Sequence, residues 1–233
     1  MARKMPPDRL ERLAEKATQV FIELGYRRTQ MADVADALGV AKGTIYLYVE
    51  SKEALFDLVL RCADATASFA HPRALPIATP KAGATLKYVR ERLSAGQPLA
   101  ALAAAMKRWR PRTMRVELES IVRELYDTLN RNRTAIKLLD RCAHDYPELA
   151  AVWYQAGRGS LLDLLARYLE TRARQRLLPA FPDPRIAARL IIENVVVWAV
   201  HRYWDPAPQA MDDRVAEDMV VDFIVNGLTK REK

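Results

Sequence analysis

Residues 29–52 bring hydroxyl, amide and basic side chains together at short spacing, which is the chemistry that contacts a phosphate backbone. Lys42 and Lys52 carry positive charge, and the Thr44 hydroxyl can reach a phosphate or a base edge. Gly43 has no side chain and lets the backbone approach a ligand closely. We therefore predict nucleic-acid contacts from eight residues: Thr29, Gln30, Lys42, Gly43, Thr44, Tyr46, Tyr48 and Lys52.

Two short helices joined by a tight turn are needed to position these side chains. Apolar residues at helical spacing predict helices over about Met31–Leu38 and Lys42–Val49, with Gly39 between them. Glycine accepts the left-handed conformation that such a turn requires. The pattern is typical of a helix-turn-helix. Tyr46 and Tyr48 cannot share one helical face, so we expect Tyr46 to be exposed and Tyr48 to be partly packed.

Many positions of this segment match one known pattern. Residues 39–55, with Thr29 and the helix end at residues 21–26, resemble the DNA-binding domain of TetR-family transcriptional regulators. The resemblance extends over about residues 8–60. It implies a three-helix DNA-binding domain followed by a larger helical domain that binds a ligand and forms a homodimer.

Two positions depart from the family pattern. Ala41 stands where the family usually has Ser, so the second helix of the motif lacks a side-chain N-cap, which contributes about 0.5–2 kcal/mol. Val49 stands where Phe is usual, so we expect smaller packing under the motif. Both departures concern local stability and leave the predicted fold unchanged.

The composition predicts an all-α chain. Its 233 residues are 50% hydrophobic and 28% charged, with only eight glycines, which disfavours folds rich in tight turns. Three prolines within residues 71–80 predict a domain boundary. We expect a DNA-binding domain over residues 6–60, a connecting helix to about residue 70, and a ligand-binding and dimerisation domain over residues 81–233.

Helical periodicity and breakers predict the elements outside the motif. Leu10 to Leu24 form one apolar stripe, and Gly25 follows it as a C-terminal cap. Asp183 and Pro184 begin a later helix, and Gly227 ends the last one. The remaining helices are predicted over 52–69, 82–95, 99–109, 114–129, 135–145, 147–177, 184–204 and 212–226.

The net charge of +8 does not by itself argue for DNA. Residues 1–60 hold nine Lys/Arg and nine Asp/Glu, and the excess of 28 over 20 lies in residues 61–233. Residues 107–112 and 172–176 carry much of it, and each is typical of a solvated helix end. A signal peptide and a membrane span are both absent from the pattern, so we expect a cytoplasmic protein without a membrane partner.

Aromatic and apolar helix faces in the C-terminal part predict an effector site and a dimer interface. Aromatic walls suit a hydrophobic ligand, and Arg158 or Arg202 could pair with an acidic group on it. A weaker similarity to the ligand domain of AefR-like members lies at residues 145–154 and 217–228. The predicted effector residues are Trp153, Tyr154, Trp198 and His201, and the predicted interface residues are Val195, Trp198, Val220 and Phe223.

The resemblance implies a repressor that binds a palindromic double-stranded DNA operator as a homodimer and is released by a small-molecule effector. The alternative is an all-helical, metal-dependent phosphohydrolase, because His144-Asp145 is the adjacent pair that such sites use. His71 or His201 would be a further ligand, but three histidines at loose spacing make a poor metal site. We therefore expect no enzyme activity, metal or cofactor.

Overall fold

The structure, a computed structural model, describes residues 8–64, 72, 74–95, 99–207 and 210–229. These residues contain no β-strand and are 74% helical, which confirms the all-α prediction. The α-helices of the described residues are α1 (Asp8–Leu24), α2 (Met31–Leu38), α3 (Lys42–Ile45), α4 (Lys52–Ala63), α5 (Ala84–Ala95), α6 (Ala100–Lys107), α7 (Met114–Arg131), α8 (Arg133–Ala143), α9 (Pro147–Val152), α10 (Ser160–Arg174), α11 (Pro184–Ala199) and α12 (Asp213–Leu228).

Two long predicted helices are interrupted. A π-helical segment, Trp153–Gly159, separates α9 from α10, where the sequence predicted one helix. Gly157 and Gly159 lie in this segment, and glycine favours the regular α conformation only weakly. A 3₁₀ turn, His201–Trp204, follows α11 because Val200 leaves helical geometry at φ −124°. Gly227 does not end α12, which continues to Leu228.

The chain forms two compact units. The first contains the described residues within 1–93 and 134–154, and the second contains those within 94–133 and 155–233. Residues 134–154, which we assigned to the ligand domain, therefore group with the N-terminal helices. The functional boundaries at 6–60 and 81–233 stay a prediction.

The first unit is built on α1, α2 and α4. The apolar stripe of α1 is buried, as its periodicity predicted, and Leu13 and Phe21 have no exposed surface. Leu55 and Val59 of α4 are equally buried, and α1 packs against both α2 and α4. This packing fixes the position of α2, the first helix of the helix-turn-helix.

The proline-rich segment at residues 74–80 pairs with the end of the helix-turn-helix. The Ile77 amide donates to the Tyr48 carbonyl at 2.7 Å, and the Ile77 carbonyl accepts from the Glu50 amide at 3.0 Å. The Thr79 amide donates to the Glu50 carboxylate at 2.8 Å. The part of the predicted boundary that the structure describes is therefore bonded to the first unit. The rest of the boundary, including His71, and the predicted end of the connecting helix lie outside the described residues.

The second unit packs α7, α10, α11 and α12 around a core that contains one buried ion pair. Arg172 of α10 has 1% of its surface exposed, and its guanidinium donates to both carboxylate oxygens of Glu117, at 2.8 and 3.1 Å. The Tyr168 hydroxyl donates to the same carboxylate at 3.0 Å. Burial, together with the adjacent Glu117, raises the pKa of Tyr168. The carboxylate is thus satisfied by three donors inside the core.

Candidate nucleic-acid interface

The turn between α2 and α3 has the geometry that the sequence predicted. Gly39 takes a left-handed conformation with φ +71°, and the Val40 amide donates to the Ala35 carbonyl at 3.0 Å. Val34 and Ile45 are fully buried and hold the two helices against the rest of the first unit. The loop residues on either side of the turn therefore have fixed positions.

The second helix of the motif is shorter than predicted. Its α-helical part, α3, ends at Ile45, and the Leu47 and Tyr48 amides then bond to carbonyls three residues earlier. Such bonds tighten the chain into a 3₁₀-like turn. Ala41 stands at the N-cap and forms no side-chain hydrogen bond there, as its residue type predicted.

Four of the predicted contact residues lie at accessible positions in or just after α3. Lys42 and Gly43 are exposed, Thr44 is half-buried, and Tyr46 is 42% exposed. Gln30 is exposed at the start of α2, where its amide donates to the Asp33 carboxylate at 2.7 Å. Basic, hydroxyl and amide groups are thus available to a ligand from both helices of the motif.

Two predicted contact residues are buried instead. The Thr29 side chain is 1% exposed, and its hydroxyl donates to the Gly25 carbonyl at 2.6 Å. Tyr48 is 4% exposed, and its carbonyl accepts from the Ile77 amide. Neither side chain can reach a ligand in this structure, so both act as supports of the surface.

Lys52 stabilises a loop instead of projecting outward. Its ammonium donates to the carbonyls of Tyr26, Arg27 and Thr29, at 3.1, 3.4 and 3.2 Å. It also lies 4.7 Å from the centroid of the Tyr26 ring, a cation-π distance. These bonds engage the three donors of the ammonium in support of the loop, and the phosphate contact predicted for Lys52 stays a prediction.

The loop between α1 and α2 carries two arginines that are not among the predicted contact residues. Arg27 and Arg28 are both exposed, and Arg28 Nε donates to the Leu24 carbonyl at 3.0 Å. The carbonyls of this loop are held by Lys52, so the position of the Arg27 backbone is fixed. The sequence signal that could have identified these two arginines is their position as adjacent basic residues shortly before Gln30.

A second cation holds the C-terminal end of α1. Arg141 Nη2 of α8 donates to the carbonyls of Leu24 and Glu23, at 2.9 and 3.3 Å. Gly25 follows with φ +86°, and a Cβ at this position would lie 2.5 Å from Asp145 Oδ2. Glycine is therefore required by conformation and by space.

An aromatic cluster packs beneath this loop. The Tyr26 ring lies 4.8 Å from Phe56 and 4.7 Å from Tyr146, centroid to centroid. Burial and the adjacent Glu53 carboxylate raise the pKa of Tyr26, which keeps its hydroxyl neutral. Residues from α4 and from the α8–α9 loop therefore support the same surface.

The predicted effector residues are divided between the two units. In the first, Trp153 is buried and its indole donates to Asp140 at 2.6 Å, while Tyr154 is 41% exposed. In the second, Trp198 and His201 are half-buried. The arginines named for an acidic group bond within the second unit: Arg158 to Glu193 at 2.5 Å and Arg202 to Asp213.

The predicted interface residues differ in exposure. Val195 and Val220 are buried in the core of the second unit and cannot face a partner, because each lies on the inner face of its helix. Phe223 is 70% exposed and Trp198 is half-buried. The outward faces of α11 and α12 carry these exposed apolar residues: Ile186, Leu190, Val197, Val215, Met219 and Phe223.

The described residues contain no group of three or more His, Cys, Asp and Glu side chains that could hold a metal ion. The ring nitrogen Nδ1 of His144 lies 2.7 Å from the Asp140 carbonyl within the same helix end. Among the same residues, every helix is too short or too polar to cross a bilayer.

Comparisons with known proteins agree with this geometry. Residues 13–59 match the family model described as bacterial regulatory proteins, tetR family. Over 51 residues the chain is 45% identical to the HTH-type transcriptional repressor DhaR of Mycobacterium sp. (strain GP1), a match that covers 22% of this chain and 26% of DhaR. The chain thus spans about a quarter of the length of the curated relatives that it matches.

Solved structures share the fold over nearly the whole chain. The ketosteroid transcriptional regulator KstR2 of Mycobacterium tuberculosis superposes with a TM-score of 0.56 and 16% identity, covering 99% of this chain and 100% of KstR2. AibR, solved with isovaleryl coenzyme A and operator DNA, gives a TM-score of 0.53 and 16% identity, covering 92% and 97%.

Fold and motif together define a helix-turn-helix protein with a second helical unit. The match at residues 13–59 and the curated relatives that share it support a TetR-family transcriptional regulator. The proteins that it matches are regulators and not enzymes, in agreement with the expectation from its sequence.

Proposed function

We propose that the chain is a ligand-responsive transcriptional repressor that binds a palindromic operator as a homodimer. The observation that carries the proposal is the accessible surface of the helix-turn-helix, with Lys42, Gly43, Thr44 and Tyr46 presented beside a fixed turn. In helix-turn-helix proteins the second helix enters the major groove, and half-sites lie about 34–36 Å apart.

Within this surface the side chains divide into two roles. Arg27, Lys42 and Tyr46 supply charge and a hydroxyl for phosphates, which fix the position of the protein on the duplex. Thr44 has a hydroxyl and a methyl group and reads a base edge. Thr29 supports this surface from within.

Selection of binding sites from random DNA by the purified full-length chain tests the proposal. We expect an enriched palindrome, and we expect Thr44→Ala to change the preferred bases while Lys52→Met leaves them unchanged. Absence of any enriched sequence would overturn operator binding. An unchanged profile for Thr44→Ala would exclude this residue as a base reader.

The dimer is proposed to form through the outward faces of α11 and α12. Leu190, Met219 and Phe223 are 60%, 66% and 70% exposed, and contiguous apolar surface of this kind marks an interaction site. A self-complementary contact between two copies would bury these faces and place two helix-turn-helix units on one operator.

Light scattering on Phe223→Asp and Met219→Asp tests the interface. A buried charge without a partner is strongly unfavourable, so we expect monomers at micromolar concentration. Leu47→Asp is the matched control, because Leu47 is 63% exposed but belongs to the helix-turn-helix. Dimeric Phe223→Asp and Met219→Asp variants would move the interface elsewhere.

The effector is proposed to be a small hydrophobic molecule with an acidic group, for which an acyl-coenzyme A is a suitable class. Isovaleryl coenzyme A, with which AibR was solved, supports this class. The assignment of Trp153, Tyr154, Trp198 and His201 to the effector stays a prediction from the sequence.

Release of the selected operator by isovaleryl coenzyme A, free coenzyme A and an organic cation of similar size would test the class. Release of the operator by isovaleryl coenzyme A alone supports the acyl-coenzyme A class. Release by the cation alone would contradict the ligand class and leave the repressor proposal intact.

A further inference from the structure

A cavity of about 780 Å³ that is partly open to solvent lies on the second unit, along α6, α7 and the loop that joins them. Its apolar wall consists of Ala101, Ala104, Ala105 and Val116, whose small side chains leave the space open. Binding sites for small molecules have volumes of about 300–1,000 Å³ and apolar walls with a few polar groups. The cavity has the size and the lining of such a site.

Two arginines of the α6–α7 loop line the same cavity. Arg108 and Arg112 belong to the basic run at residues 107–112 that the sequence suggested to be a solvated helix end. Arg108 lies 3.9 Å from Glu117, a loose ion pair, and its side chain is 57% exposed. Within the described part of the chain, Arg112 has no ion-pair partner. The guanidinium groups are therefore available to a ligand.

The carboxylate in the cavity wall does not offset this charge. Glu117 accepts two hydrogen bonds from Arg172, at 2.8 and 3.1 Å, and its negative charge is matched inside the core. The lining thus contains two accessible positive groups and one neutralised carboxylate. An anion is the ligand that this balance of charge favours.

The same buried arginine fixes the loop that carries the site. Arg172 donates to the Ala105 carbonyl at 2.7 Å, to the Arg108 carbonyl at 3.2 Å and to the Trp109 carbonyl at 3.3 Å. The backbone on which Arg108 is mounted is therefore held in place before a ligand arrives. Preorganisation of this kind reduces the entropy lost on binding.

We propose that this cavity binds an amphiphilic organic anion, with a phosphate or carboxylate head group on Arg108 and Arg112 and an apolar chain along the alanines and Val116. Guanidinium groups match the planar or tetrahedral oxygens of either head group through paired hydrogen bonds. The inference rests on the proposed function in one respect: the anion is taken to be the effector that releases the operator. The effector would then bind along α6 and α7 and not at the aromatic residues predicted from the sequence.

Titration calorimetry on the full-length chain tests the site with four probes. Octanoate and octyl phosphate carry the same chain on different anionic head groups, octylammonium reverses the charge, and inorganic phosphate lacks the chain. We expect one site per chain for at least one of the two anionic amphiphiles and at least tenfold weaker binding of octylammonium and inorganic phosphate. Preference for octanoate or for octyl phosphate identifies the head group. Equal binding of octylammonium, or no binding of either anion, would overturn the site.

Two neighbouring arginines provide a matched pair of variants. Arg112→Gln removes a charge that lines the cavity, and Arg110→Gln removes a charge of the same loop that does not line it. We expect Arg112→Gln to weaken binding at least tenfold and Arg110→Gln to change it less than twofold. Ala104→Leu fills the cavity without a change of charge and should also abolish binding. Equal effects of the two arginine variants would contradict the proposal, because they would indicate attraction to a basic surface alone.

Operator release separates the site from the effector role. We expect the anion that binds in calorimetry to release the selected operator from the wild type but not from Arg112→Gln. Binding without release would keep the site and overturn its role as effector site. If the unliganded chain selects no operator, the proposed function fails while the calorimetric result still decides the site.

Discussion

Two loops of the molecule are held by cations that bond to backbone carbonyls, and they differ in how deeply the cation is buried. After α1, Lys52 and Arg141 hold the carbonyls of residues 23–29 from partly exposed positions. After α6, the fully buried Arg172 holds three carbonyls and also bonds to Glu117. A buried cation needs a counter-charge, whereas solvent can replace part of the bonds of an exposed one. The two loops should therefore differ in what they lose when the cation is removed.

The largest effect is expected at the buried cation. Arg172→Met leaves the Glu117 carboxylate unpaired in the core and should lower the free energy of unfolding by about 3–5 kcal/mol. Chemical denaturation of the full chain measures this free energy of unfolding. Arg174→Met is the control, because Arg174 pairs with Glu170 at the surface and its loss should cost below about 0.5 kcal/mol. Equal costs would mean that the core pair adds no more than a surface pair.

Gly25 tests how tightly the first loop is closed. Gly25→Ala forces a side chain into a left-handed conformation and against Asp145, and should cost about 2 kcal/mol. Gly83 has φ +77°, but a Cβ on this residue would meet no heavy atom within 4 Å, so Gly83→Ala should cost only about 1 kcal/mol. Thermal unfolding of both variants gives the difference that the contact causes. A larger cost at Gly83 would be incompatible with this explanation.

Removal of the exposed cation should have an intermediate effect. Lys52→Met loses three carbonyl bonds and should lower the free energy of unfolding by about 1.5 kcal/mol, with Tyr26 still packed on Phe56. Because the ammonium faces the loop, the salt dependence of operator binding should keep its slope. A slope reduced by about one would restore Lys52 as a phosphate contact.

The smallest effect on stability is expected at an arginine of the same loop that faces outward. Arg27→Gln should change the free energy of unfolding by less than about 0.5 kcal/mol. It should reduce the slope of log K against log salt by about one, since one phosphate contact is lost. Arg9→Gln, an exposed residue of α1, is the control and should leave the slope unchanged. Identical slopes for all three proteins would exclude Arg27 from the interface.

The sequence predicted the helix-turn-helix well because its signals are local. The turn needs a left-handed residue at Gly39, and Val34 and Ile45 face inward at helical spacing within twelve residues. The role of Lys52 was not predictable in this way, because its partners lie 23 to 26 residues earlier. A lysine beside a motif has the same residue type whether it bonds to a phosphate or to carbonyls.

The C-terminal unit was harder to predict for a different reason. Helix α11 is apolar on two faces, and periodicity does not tell which face packs inside the chain, so the sequence analysis named the buried Val195 and not the exposed Leu190. Arg172 lies in a run of arginines that suggested a solvated helix end. Its burial depends on Glu117, 55 residues away, which no local pattern reveals.

The pairing of Ile77 with Tyr48 and Glu50 determines where this regulator can be recombined with another. A chimera joined at residue 60 would carry the helix-turn-helix but lose the strand-like segment that satisfies the Tyr48 carbonyl and the Glu50 amide. It would also lose Arg141, which caps α1 from a position more than a hundred residues later. The helix-turn-helix and the residues that support it are thus discontinuous in sequence. A transplant that keeps the geometry of the helix-turn-helix must carry residues 74–80 and 134–154 along with the N-terminal helices.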